Sequence, residues 1–481
     1  MKSIWSKTVD IAKRSTLPGD LKTEVAVIGA GLAGILTAYL LQRRNVKTIV
    51  LEANEIGSGQ TKNTTAKITS QHYIIYSKLV KDFGFEKAQQ YATANQQAID
   101  DYRRIIREEN ISCRFEECPA YLYANDRQNT KVLEEEARAA QKLGINAEFT
   151  LETGLPFPVE GAVRFNNQAQ FHPLAFLEAV SEKLDVYEHT RVNNVEENKI
   201  FTDYGTVVAK QIVFASHFPF INMPGFYFAR MHQERSYVIA LENGAKLEGM
   251  YIGIDKDRLS FRNFDELLLF GGGGHRTGEN SVGGKYDFLS SRAKELYPES
   301  REVGRWSAQD CMTLDGVPYI GQFSSSNPNW YVATGFGKWG MTSSMVAANL
   351  IADAIVGKEN PCREVFSPSR FTPSASLKTF VTDMGQSVKG LSKQIFKIPE
   401  KTLASLPTGH GGIVEHDGQK VGVYRDEDGS IYAVSVRCPH LGCQLEWNPD
   451  EKSWDCPCHG SRFDYRGKLL NNPAQTDLEV R

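Results

Sequence analysis

The chain has 481 residues, 41% apolar and 23% charged, with a formal net charge of −3. That length fits about three domain-sized units of ordinary composition, and the weakly acidic balance argues against a nucleic-acid-binding surface. No apolar run reaches the ~20 residues needed to cross a bilayer. The opening MKSIWSKTVDIAKRST lacks the apolar core of a secretory signal, so residues 1–21 read as an N-terminal extension of a cytoplasmic protein.

Residues 23–52 read as strand, tight turn, helix and strand. The turn is Gly29-Ala30-Gly31-Leu32-Ala33-Gly34, a G-x-G-x-x-G. Gly29 permits the turn, Gly31 lets the backbone approach a pyrophosphate, and Gly34 allows close helix–strand contact. The helix N-terminus adds free N–H groups for the phosphates. Glu52 ends the second strand, 23 residues after Gly29, where an acid can accept ribose hydroxyls. A dinucleotide site is expected.

A long helical stretch follows around 72–108. SCRFEEC reads as a strand that puts Cys113 and Cys118 on opposite faces as packing residues. Strand-like runs and helices mix from 112 to 305. A strand, a Gly-rich turn and a helix return near 306–358. No second G-x-G-x-x-G appears, which weakens a two-nucleotide NAD(P)H:flavin reductase.

Residues 359–375 are rich in Pro and Ser and look like a domain exit. Leu377, Phe380, Val381, Met384, Val388, Leu391 and Ile395 then recur at helical spacing. The favoured reading of 376–396 is a connecting helix packed across a domain boundary. The alternative is peripheral membrane contact, with Lys378, Lys389 and Lys393 on the polar face. From 397 to 481, short strands and turns predict a small all-β domain.

Of eight cysteines, Cys438, Cys443, Cys456 and Cys458 fall within 21 residues. Cys438-x-His440, then 15 residues, then Cys456-x-x-His459 is Rieske spacing: each loop offers one thiolate and one imidazole to a [2Fe–2S] cluster. A Cys₂His₂ zinc site is the bland alternative. A Rieske oxygenase is disfavoured, because none of the ten histidines forms a D-x-x-H-type helical pair for a mononuclear iron.

Three segments carry a family resemblance. GSGQTKNTTAKITSQH, with Thr61 and Thr65, follows the second strand; Asp315-Gly316-Val317-Pro318-Tyr319-Ile320-Gly321 and Thr334-Gly335-Phe336-Gly337-Lys338-Trp339-Gly340-Met341 follow later. Together they resemble the glycine oxidase/D-amino-acid oxidase (DAO) family over 22–358. The resemblance implies an α/β Rossmann-like FAD-binding fold with a mixed α+β substrate domain. FAD-binding parts would be 22–110, 165–220 and 306–358, and the substrate domain 111–164 and 221–305. FAD would be held by Gly29, Gly31, Gly34, Glu52, Thr61, Thr65, Gly335, Gly337 and Met341, with the backbone of Val195 at the adenine.

Lys338 is a candidate for stabilising negative charge on the reduced flavin. His275 and Arg262 are candidates for facing the substrate. Relatives that oxidise amino acids read W-x-x-x-R before D-G-x-P. Here Trp306 leads to Asp310, which suits a neutral or cationic amine better than a carboxylate.

Resemblance to the Rieske proteins of cytochrome bc complexes implies a disulfide between Cys443 and Cys458 and a Ser461 hydrogen bond to the cluster. It also puts Phe463 where those relatives have a tyrosine.

The expected function is an FAD-dependent oxidoreductase. It would oxidise a small amine-like substrate and pass electrons singly through the cluster to an external protein or quinone. The reverse direction, as a reductase, and a substrate-free redox module are the alternatives. Rieske potentials span roughly −150 to +300 mV. Phe463→Tyr adds a donor that stabilises the reduced cluster, so it should raise the potential; a redox titration without an upward shift would refute the role given to this position.

Overall fold

The computed structural model describes residues 2–370, 372–396 and 406–481; the predicted start of the β domain at 397 lies outside them. Strand Leu21–Ile28 is almost wholly buried along Val25-Ala26-Val27-Ile28, the continuous apolar run of a strand covered on both faces. It pairs in parallel with Thr48–Leu51 on one side and Gly205–Phe214 on the other. Asn327–Thr334 and Asp185–Tyr187 extend this sheet outward. Helix Leu32–Gln42 packs against it. A Cβ at Gly34 would overlap the Gly29 carbonyl oxygen, so only glycine allows that approach.

A second, mostly antiparallel sheet of nine strands runs beside the first. Its longest strands are Met231–Glu242 and Arg301–Thr313, paired along almost their whole length. This corrects two expected boundaries. Residues 165–170 and 306–313, assigned from sequence to the FAD-binding parts, lie in strands Gly161–Gln170 and Arg301–Thr313 of this second sheet. The strands continue unbroken through the expected junctions because their ladder partners do.

The N-terminal extension packs into the fold through its described residues. Trp5 is fully buried, edge-on to Phe264 and His172, and its indole N–H donates to the Thr64 carbonyl at 2.7 Å. The strand expected around Cys113 starts only at Glu116, because Arg114 takes a left-handed conformation (φ 52°) that breaks the extended run. Both cysteines are buried.

The C-terminal part forms a three-stranded sheet from Gly411 to Ser435 and a four-stranded sheet from Glu446 to Asn471. Leu445, Trp454 and Phe463 fill its core. Its edge docks onto the nine-stranded sheet. Arg235 donates to Glu451 at 2.9 Å, and Ser307, Tyr286 and Arg462 converge on the same carboxylate. Asp450 accepts from Asn280 and from the backbone of Gly284 and Lys285.

Helix Pro373–Phe396 crosses the junction, but not as expected. Among the described side chains its buried positions are Ala375, Asp383 and Gly390, while Leu377, Phe380, Val381 and Met384 face outward. The side chains of Lys378, Val388, Leu391, Lys393 and Ile395 lie outside those described. The reason is space: a Cβ at Gly390 would sit 2.7 Å from the Cys458 sulfur, so a small residue must face the cluster loops.

Removing one member of a buried ion pair typically costs about 3–5 kcal/mol. Glu451→Ala leaves Arg235 and Arg462 facing each other without their shared carboxylate. Calorimetry should show a lowered transition that splits as the C-terminal part separates. An unchanged single transition would contradict the dock.

Candidate active site and cluster centre

A cavity of about 530 Å³ opens at the carboxyl ends of the parallel strands, where open α/β sheets bind ligands. Its walls bring together Gly29, Gly31, Glu52, Thr61, Thr65, Gly335, Gly337 and Met341, which are 312 residues apart at the extremes. Gly29 has φ 108°, and a Cβ there would come within 2.7 Å of the Ala215 oxygen. At Gly31 a side chain would meet only Thr61, so it would project into the cradle. The Thr61 hydroxyl accepts from the N–H of Leu32 at 3.1 Å, fixing the helix N-terminus. Glu52 accepts from Ala30 and Asn54 N–H groups, and burial raises its pKa. The Nε2 of His217, also in the wall, is buried without a partner among the described residues. These features suit a dinucleotide.

Gly34 lies behind the wall, supporting the turn. Val195 is misplaced in the sequence reading: Val192, the first residue of strand Val192–Glu196, lines the cavity, whereas Val195 pairs with Ile200 farther along the hairpin. Arg262 is not in the wall either. Its guanidinium donates to the carbonyls of Thr65 and Ala66 at 2.8 and 2.7 Å. It therefore pins the loop that carries Thr65. Trp306 and Trp5 hold the preceding carbonyls of Asn63 and Thr64.

His275 does line the cavity. Its Nδ1 donates to the Arg276 carbonyl and its Nε2 accepts from the Tyr237 hydroxyl, while burial lowers its pKa, so it is a neutral, fully engaged imidazole.

Lys338 and Asp310 are brought together, with a partner the sequence did not reveal. Lys338 Nζ lies 3.3 Å from Glu234 and 3.4 Å from Asp310. The register Glu234↔Asp310 across paired strands sets the two acids side by side. Burial opposes the Lys338 charge, yet the two acids hold its pKa above the ordinary lysine value. Burial likewise opposes the Glu234 carboxylate, but His232 and Lys338 hold its pKa well below normal. Burial wins at Asp310, whose pKa is raised.

Lys67 was also missed. It lines the cavity, donates to the Tyr251 carbonyl and the Ser260 hydroxyl, and has no carboxylate partner among the described residues. Burial, then repulsion from Arg262, pulls its pKa down to about 7. Arg258, over the Tyr73 ring at 5.0 Å, stands exposed at the rim. Lys67 lies within GSGQTKNTTAKITSQH but the resemblance gives it no role, and Arg258 belongs to no motif; only the fold brings them to the cavity.

At the other centre, Cys438 and Cys456 are free and buried. The rings of His440 and His459 stand edge-on, centroids 5.0 Å apart, and the Nδ1 of each is buried without a partner among the described residues. Two thiols and two unpartnered imidazole nitrogens form the donor set a Rieske cluster requires. Burial keeps both imidazoles neutral, with pKa values lowered to about 4 and about 3. His440 Nε2 donates to Asn222 Oδ1 at 2.8 Å, which leaves the Nδ1 lone pair for iron. Cys443 and Cys458 are disulfide-bonded, tying the two loops together. A hydrogen bond with Cys456 lowers the Cys438 pKa, and Ser461 adds another. Phe463 is fully buried.

The two centres share one wall. Side chains alternate along a strand. Glu234, Ser236, Ala308 and Asp310 face the cavity. Gln233 and Gln309, off the cavity side, face the cluster loop: Gln233 donates to the His459 carbonyl and Gln309 to the Gly460 carbonyl, each at 2.7 Å. Residues 469–472 and Gln475 of the C-terminal part close the cavity's edge.

The sequence matches the family model for FAD dependent oxidoreductases (DAO) over residues 24–354 and that for the Rieske [2Fe-2S] domain over 398–480. It is 36% identical to the Rieske 2Fe-2S iron-sulfur protein YhfW of Bacillus subtilis, covering 99% of this chain and 97% of that one. Among solved structures, glycine oxidase from Geobacillus kaustophilus (TM-score 0.62, 19% identity, 73% of this chain, 99% of that one) shares the fold. So does L-proline dehydrogenase from P. horikoshii (0.63, 18%, 74% and 99%).

Gly31→Val fills the cradle without touching the cluster. The purified variant should lose most of its flavin absorbance yet keep iron and sulfide. Full flavin content would contradict the cradle.

Proposed function

We propose that this chain, which belongs to the DAO family of FAD-dependent oxidoreductases and carries a C-terminal Rieske [2Fe–2S] domain, oxidises a small amine and passes the electrons singly to an external acceptor. FAD supplies two-electron chemistry and the cluster one-electron chemistry. The observation that carries the reading is the shared wall: the cavity and the cluster loop lie on opposite faces of the same paired strands.

The cavity also reaches residues of the second sheet, including Glu234, Tyr237, Ile252, Ser260 and His275. Room there supports catalysis over a substrate-free module. With both carboxylates ionised, Glu234, Asp310 and Lys338 carry one net negative charge, which favours an ammonium over a carboxylate. Converting a C–N single bond to an imine removes two electrons and two protons. Lys67, with no carboxylate partner among the described residues and a pKa pulled down to about 7, takes the proton from nitrogen. A carboxylate elsewhere on the substrate would meet Arg258 at the rim.

Anaerobic mixing with a panel of amines and amino acids, followed by absorbance and EPR together, tests the reading. Flavin bleaching should precede growth of the cluster's reduced signal. Bleaching with a silent cluster would defeat the internal transfer.

The rate of bleaching should rise with pH through about 7 as Lys67 loses its proton, because the free amine is the active form. Lys67→Met should slow bleaching by roughly 10²–10⁴-fold, as for loss of a general base. It should also remove that limb of the profile; an unchanged limb would exclude Lys67 as the base.

A further inference from the structure

The cavity lies in the flavin part of the chain, yet one edge of it comes from the other domain. Leu469, Leu470, Asn471, Asn472 and Gln475 all line it. This segment begins as strand Leu469–Asn471, paired with strand Arg462–Asp464. The partner strand follows directly on the loop that holds Cys456 and His459.

The segment sits at the dinucleotide end of the cavity. Asn472 Nδ2 donates to the carbonyls of Ser216 and Phe218 at 2.8 and 2.6 Å. Both amide hydrogens are used, so a side chain with one donor could not hold both carbonyls. Ser216 follows Ala215, whose N–H donates to the Ile28 carbonyl at 2.9 Å and whose oxygen leaves no room for a side chain at Gly29. Asn472 is therefore anchored beside the glycine turn that lets a pyrophosphate approach the backbone.

The segment's other ties run to the cluster side. One Gln233 amide donates to the Asn472 and His459 carbonyls, at 3.2 and 2.7 Å. The Ala474 N–H donates to the Ser461 hydroxyl at 3.0 Å. A wall made in this way is complete only while the two domains are docked. Undocking would remove the edge and open the dinucleotide end to solvent. A ligand that prefers the closed arrangement shifts the equilibrium towards it, and the coupling is reciprocal.

We propose that residues 469–475 of the cluster domain form a strap of the FAD site. FAD is then held tightly only while the cluster domain is docked, and bound FAD in turn holds the dock shut. The inference rests on the FAD site alone and not on the substrate.

The test starts from cofactor-replete protein and measures FAD retention by ultrafiltration. Asn472→Leu keeps the size of the side chain and removes both donations. Its FAD dissociation constant should rise about tenfold, as for the loss of two hydrogen bonds, with iron and sulfide content unchanged. Hydrogen exchange of the wild-type protein, stripped of flavin and then refilled, needs no variant. FAD should slow exchange across residues 469–475 more than across residues 411–435 of the same domain. Wild-type FAD affinity in Asn472→Leu would overturn the proposal. So would exchange across the strap that FAD leaves unchanged, or slows no more than in 411–435.

Discussion

The molecule depends on the alternation of side chains along two paired strands, Met231–Glu242 and Arg301–Thr313. Each strand must serve two environments at once. One face is a cavity wall bearing Glu234 and Asp310. The other is a docking surface where Gln233 and Gln309 take up carbonyls of the cluster loop. A one-residue slip in register would exchange the faces and lose both functions. Glycine is needed on the loop side: Gly460 has φ 82°, and a Cβ there would come within 2.6 Å of Gln233. The loop holding His459 can approach only because that side chain is absent.

The same wall concentrates buried charge. Arg235 is nearly inaccessible and is answered by Glu451 of the C-terminal part. Undocking would strand a guanidinium in the sheet, so the ion pair specifies where the cluster domain sits more than it adds stability. On the cavity side, two acids share one lysine. Elsewhere in the cavity wall, Lys67 has no carboxylate partner among the described residues, and burial favours its uncharged form.

Legibility in the sequence followed distance along the chain. The G-x-G-x-x-G turn and the two C-x-H and C-x-x-H loops are local, and their chemistry was readable because turn geometry and ligand spacing are written in consecutive residues. Glu234 gave no signal, since its role comes from register with Asp310. Arg262, a candidate for facing the substrate, has no local motif to reveal its role: its guanidinium is spent on carbonyls of the loop at Thr65, far away along the chain. Val192 and Val195 both belong to RVNNV, and only the strand start and the hairpin pairing show which of them lines the cavity. The outward stripe of Pro373–Phe396 was visible as periodicity. Its direction was not, because amphipathicity gives a face without saying which neighbour it meets.

The central claim is that electrons pass from cavity to cluster within one chain, across one sheet. The most direct measurement reduces the flavin anaerobically with a light pulse and follows the growth of the reduced cluster's signal at several protein concentrations. The account predicts a first-order rate independent of concentration. A rate that scales with concentration, or a cluster that stays oxidised while the flavin remains reduced, would contradict it.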